Sequence, residues 1–159
     1  MVYMFLFGAV AITVRYWEET GDDIEGGARV EVRRAGEVIG EHHRPGAAGW
    51  RIGPVSEAGV WRSDLLSVIS RPGNEPRFHH HPAFQDGDVG RRVFDLGLNA
   101  DPVEWTIAKL ADLPALLHAA GAADIIDQID LEAVDRALPA IRSAILVCLD
   151  QVPQAPAAL

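Results

Sequence analysis

The residues best suited to chemistry lie in one octapeptide, Arg77-Phe78-His79-His80-His81-Pro82-Ala83-Phe84, which holds three of the chain's six histidines. On an extended backbone successive side chains alternate faces. His79 and His81 then point the same way as Arg77, and Phe78 and His80 point the other. Two imidazoles two residues apart on one strand face can converge on a divalent ion. A carboxylate from a neighbouring strand, such as Asp64 or Asp95, would complete a two-histidine, one-carboxylate set with positions left for water or substrate. The ion expected is one of Zn, Fe, Mn, Ni or Cu. Two readings compete with it: imidazoles working as acid/base groups without a metal, and histidines solvated at a strand end with no catalytic role. Parity raises an objection to the metal. Phe78 in the core takes His80 with it and turns His79 and His81 outward, unless both faces of the sheet are covered.

Other polar residues fall into register with this pair. Arg62 and Asp64 share one face of an extended segment, and if that face meets Arg77, His79 and His81, an arginine, a carboxylate and two imidazoles surround one cavity. Arginine binds a carboxylate or enolate oxygen bidentately while a histidine or aspartate moves a proton, so a small anionic or enolisable substrate would suit such a site. A surface ion pair is the plainer account of Arg62 and Asp64. Trp61, Phe78, Phe84 and Trp105 supply aromatic walls in either case. His42 and His43 are adjacent and point to opposite faces, so at most one can join the cluster. The glycines show no phosphate-loop spacing, there is no GxSxG, and no serine has an activating context, which leaves no signal for a nucleotide cofactor or a serine hydrolase.

The elements that must position these residues follow from composition and period. The chain has 159 residues, 48% hydrophobic and 23% charged, a size that supports one domain with its own core. A formal net charge of −9 argues against a general affinity for nucleic acid or anionic membrane. The single cysteine, Cys148, sits in an apolar run and reads as a buried small hydrophobe. Met1 to Val14 is nearly unbroken apolar sequence without a basic start, too short to span a bilayer. It reads as a buried strand, with a cytoplasmic location as the default.

Val2 to Glu18 predicts one long strand, or two broken near Gly8. Thr20 to Gly27 reads as an acidic, glycine-rich loop. Val30-Glu31-Val32-Arg33 alternates as a half-buried strand does, and Arg34-Ala35-Gly36-Glu37 predicts a turn into Val38 to His43, giving a β-hairpin. Trp50 and Ile52 suggest a brief strand. Gly59 to Ser70 is extended with mixed character on both faces, and Arg71 to Pro76 is a turn that makes it an antiparallel neighbour of Arg77 to His81. A strand is expected at Arg91 to Leu96.

Beyond it the period changes. Asp101 as N-cap with Pro102 and Glu104 starts a helix to about Ala111. Asp112-Leu113-Pro114 restarts one that ends near Gly121. A last helix follows Asp130 with an apolar stripe of Leu131, Val134, Leu138, Ile141, Ile145 and Leu149, kinked or split at Pro139. Residues 151–159 read as a frayed tail.

Strands first and helices last predict an α+β domain over residues 1–150. It is a curled antiparallel sheet or small barrel of about six strands with C-terminal helices packed on it. The expected function is a small enzyme acting on a small organic substrate in a polar-aromatic pocket, with His79, His81, Asp64, Arg62 and Arg77 as site residues. The alternative is a non-catalytic ligand-binding or protein-interaction domain, with a homodimer through the C-terminal helix, where Ala137, Ala140 and Ala144 would permit close approach.

Overall fold

The computed structural model describes residues 1–36, 40–42, 50–52, 55–70 and 78–153. Arg77, His43 and the turns at 37–39 and 71–77 lie outside them. The fold is α+β, an open, curled antiparallel sheet followed by helices packed on one face.

Strand β1 (Val2–Phe7) and strand β2 (Val10–Thr20) form a hairpin. The break expected near Gly8 is a two-residue turn. Gly8 has φ 68°, which glycine adopts without strain, and a Cβ there would run into the Gln128 carbonyl oxygen. Strand β3 (Ile24–Ala35) pairs with β2. The Thr20 to Gly27 segment is thus a three-residue turn followed by strand, not a loop throughout.

Gly26 and Gly27 serve close approach here. A Cβ on Gly27 would lie 2.0 Å from the Leu65 carbonyl oxygen of the neighbouring strand. That neighbour is strand β6 (Val55–Val68), which pairs with β3 through a register shift after Val32, and β6 pairs in turn with strand β7 (His79–His81). The order is β1-β2-β3-β6-β7 with both edges free of further strands among the described residues, so the barrel alternative is not realised.

The hairpin expected between Val30–Arg33 and Val38–His43 does not form. Strand β4 (Gly40–His42) pairs instead with strand β5 (Trp50–Ile52) in a separate two-stranded sheet, and β3 gives its second edge to β6. A 14-residue partner satisfies far more of β3's backbone groups than a three-residue one can.

One sheet face is apolar. Val10, Ile12 and Val14 meet Val30 and Val32, then Trp61 and Leu65, and the helices cover them. No strand spans Arg91 to Leu96. Val93 makes only an isolated bridge to His80, and Asp95 caps helix α1 (Leu96–Ala100) through Gly97 and Leu98 N–H groups. Helix α2 (Pro102–Ala111) and helix α3 (Leu113–Ala119) begin where Asp101 and Asp112 predict them, each aspartate accepting a backbone N–H. A short 3₁₀ helix (Ala123–Gln128) leads to helix α4 (Leu131–Asp150), capped by Asp130.

Helix α4 is one continuous element. Pro139 sits inside it on the exposed side and does not split it. Val134, Ile141, Ala144, Ile145 and Cys148 of its inner face are buried in the core shared with the sheet. The stripe is occupied by the chain's own strands and offers no support for a helix-mediated dimer. No described helix is long and apolar enough to cross a membrane.

Because Gly27 lets β3 and β6 approach, Gly27→Ala should force the strands apart and cost more than about 2 kcal/mol. Thermal unfolding should show a Tm lower by about 4–8 °C or more for a chain of this size. An unchanged Tm would mean the strands do not meet as closely as they do here.

Candidate metal centre

Across β3, β6 and β7 the face of the sheet away from the helices is not a solvated surface, although Val2, Met4 and Leu6 of β1 on the same face are exposed. Glu31 is fully buried, Asp64 and His79 are 1% exposed, and Arg29 and His81 are close behind. The alternation of Val30-Glu31-Val32-Arg33 was expected to mark a half-buried strand, and Glu31 is buried as fully as Val30 and Val32. Long arginine stems close this face over the carboxylates. Glu31 accepts from Arg33 Nε at 2.9 Å and Arg62 Nε at 2.7 Å, with Arg15 Nη2 3.6 Å away. Burial works against its ionisation, but the hydrogen bonds and charges of Arg33 and Arg62 prevail, so its carboxyl is held below the usual range. Arg15 and Arg29 both stack on Trp17, with guanidinium carbons 4.5 and 4.1 Å from the ring centre.

Antiparallel register brings the metal candidates together. Asp64 stands opposite His79, Ser63 opposite His80, and Arg62 opposite His81. Asp64 Oδ1 accepts from Arg29 Nε at 2.5 Å. Asp64 Oδ2 faces His79 Nε2 at 3.4 Å and His81 Nε2 at 3.5 Å. The two rings meet edge to face, 5.2 Å apart, and the Phe94 ring lies 5.7 Å from His79 at the surface. Among the described residues these three form the one group of histidine, cysteine and carboxylate side chains with ligand atoms close enough to share an ion.

The donor set fits a metal ion on two counts. Ligand atoms about 2.1 Å from a tetrahedral ion stand about 3.4 Å from each other, which is the spacing of Oδ2 to each Nε2. Asp64 Oδ2 is also fully buried with no hydrogen-bond partner, although its sister oxygen is satisfied. His81 Nδ1 is 3.3 Å from the Gly90 carbonyl, a contact that orients the ring with Nε2 toward Asp64. Burial opposes the Asp64 charge, yet His79, His81 and Arg29 together hold its carboxyl far below the ordinary range.

The structure brings His79, His81 and Asp64 together, while Arg62 is drawn away. Its guanidinium is bound to Glu31 and lies over the Phe84 ring at 5.2 Å. Asp95, the other carboxylate considered, is a partly exposed N-cap of helix α1 and takes no part in this group. The parity argument holds in form, since Phe78 and His80 do face the helix side. The exception to it applies, because the other face is buried at His79 and His81 as well.

His80 sits between Trp61 and Trp105, its ring centre 6.4 and 5.0 Å from theirs, and burial lowers its pKa. It therefore belongs to a different environment from its two neighbours. Arg29 and Glu31 are buried residues beside the candidate site that the sequence reading missed. The signal was present in the charged positions 29, 31 and 33 of one strand face, and it was read as solvation.

Comparison with known families adds one observation. Residues 73–145 match the family model of a domain of unknown function, DUF7700. The matched segment, under half of the chain, carries β7 and its two imidazole donors but not Asp64, Arg29 or Glu31. No curated protein matches the chain. No solved structure matches it either.

Glu31 has a lowered folded-state pKa, so the stability it confers is fully present above about pH 5 and declines as pH falls toward its folded value. Glu31→Gln, which leaves three arginines around a neutral group, should lose about 3 kcal/mol at pH 7. It should also show a shallower loss between about pH 5 and pH 3 than the parent chain. Urea unfolding at several pH values measures both, and parallel pH profiles would rule out an ionised Glu31 in the fold.

Proposed function

We propose that this protein is a mononuclear metalloprotein in which Asp64, His79 and His81 hold one divalent ion, and that it is an enzyme acting on a small organic substrate. The observation that carries the reading is the buried, otherwise unsatisfied Asp64 Oδ2 facing two Nε2 atoms at 3.4 and 3.5 Å. Two nitrogens, each at tetrahedral spacing from one oxygen, favour Zn(II), with Fe(II) the next candidate among Zn, Fe, Mn, Ni and Cu. Three protein donors are the number found where a position is kept for water or substrate, whereas structural zinc is closed by four.

Bound there, the ion would act as a Lewis acid that activates a water or polarises a substrate oxygen. Asp64 and the imidazoles act as its ligands, Arg29 fixes the carboxylate that bridges the strands, and the Gly90 carbonyl orients the His81 ring. Arg62 and Arg77 were expected to bind an anionic substrate. Arg62 is engaged by Glu31 and Arg77 lies outside the described residues, so the substrate's charge is left open in this proposal.

A second reading is favoured by burial. All three donors are 3% exposed or less, which suits an ion held for stability as well as one that turns over substrate.

The test is elemental analysis of protein purified without a histidine tag, beside a His79→Ala, His81→Ala double variant. About one equivalent of Zn or Fe per chain that vanishes in the variant is the expected result. No metal in the parent, even after reconstitution with each of the five ions, would overturn the proposal. Chelation then separates the readings. A structural ion takes several degrees of Tm with it, while a catalytic ion leaves Tm within a few degrees and yields visible d–d absorption on replacement by Co(II) that shifts when a small ligand binds.

A further inference from the structure

The face of β7 that carries His80 opens on a cleft of about 400 Å³ between the sheet and helices α2 and α3. That volume is within the range of small-molecule sites. Its walls include Trp61, His80 and Trp105, and its rim carries Lys109 and Asp112, one turn apart. Trp61 and Trp105 stack at 6.3 Å with planes 23° apart, and His80 leans on Trp105, so three flat rings already form one aromatic surface. His80 Nδ1 is buried beside it with no hydrogen-bond partner. Lys109, the chain's one lysine, makes no ion pair among the described residues; its ammonium lies 5.1 Å from the Trp105 ring centre. Asp112 gives one oxygen to the Ala115 N–H as the cap of α3 and keeps the other.

We infer that this cleft is a binding site for a small planar aromatic or heteroaromatic molecule of zero net charge that carries both a hydrogen-bond acceptor and a donor at its edge. The ring surface selects a flat apolar body. One positive and one negative group on the rim cancel, which disfavours ligands with a net charge and rewards an acceptor toward Lys109 and a donor toward Asp112. His80 Nδ1 offers a further polar contact in an otherwise apolar wall. The site is separate from the metal centre. Alternation along β7 sends His80 to the helix side and His79 and His81 to the other, with the β6–β7 ladder between them. Its existence does not rest on the metal.

The probe is naphthalene-2-carboxamide, with 2-methylnaphthalene and 2-naphthoate as comparators, measured by ligand-detected NMR and tryptophan fluorescence. Two substitutions at exposed helix positions keep the fold intact: Ala115→Trp, which fills the cleft, and Lys109→Met, which removes the acceptor's partner. The carboxamide should bind with a Kd below about 1 mM, as expected of a fragment of this size. It should bind at least about threefold more tightly than either comparator, and lose about tenfold in Ala115→Trp. Lys109→Met should weaken the carboxamide by about three- to tenfold and leave 2-methylnaphthalene unchanged. Absence of binding, binding untouched by Ala115→Trp, or tighter binding of 2-naphthoate than of the carboxamide would each overturn the inference.

Discussion

The ion pair between Arg29 and Asp64 is the constraint on which the rest of this structure depends. Both groups are buried, on adjacent strands β3 and β6, and neither could stay charged there alone. Arg29 satisfies one oxygen of Asp64 and thereby turns the other toward β7, where the two imidazoles wait. Glu31, two residues further along β3 on the same face, repeats the arrangement with Arg33, Arg62 and Arg15. The polar face is thus a pair of carboxylates each held by guanidinium groups, and the candidate metal centre is the end of that layer where histidines replace arginines.

Such a layer is costly in desolvation, and stability is a poor explanation for it. The opposite face shows what stability requires: valine, isoleucine and leucine against helices, without a charge in the centre of the core. A chain that buries two acids, an arginine and two histidines on the other side keeps them in one geometry, and fixed geometry is what a coordination site needs. Strand β7 has only three residues and lies at the edge of the sheet, yet it serves two environments, because a period of two sends consecutive histidines to opposite sides. His79 and His81 face the carboxylate, and His80 faces the two tryptophans.

The helical third of the chain was legible in detail. Asp101, Asp112 and Asp130 are caps that act through hydrogen bonds to N–H groups two or three residues on, so local sequence suffices to place them. Pro139 shows the limit of local reasoning, since tertiary packing of Ile141 and Ile145 keeps α4 continuous across it. In the sheet, β2 and β6 were readable as extended segments, but the partner of β3 was not. A turn signal at Arg34 to Glu37 suggested a local hairpin, and the long-range pairing with β6, 30 residues on, displaced it.

By itself the sequence determined which residues share a strand face: His79 with His81, Arg62 with Asp64, and Glu31 with Arg33. That follows from the twofold period of an extended chain and needs no knowledge of neighbours. Only the tertiary structure decided that Asp64 lies opposite His79, that Arg62 goes to Glu31, and that the face carrying them is dry. Register and burial are properties of strand pairs and layers. Alternating charge reads as a wet surface until a structure shows arginine stems lying over the acids.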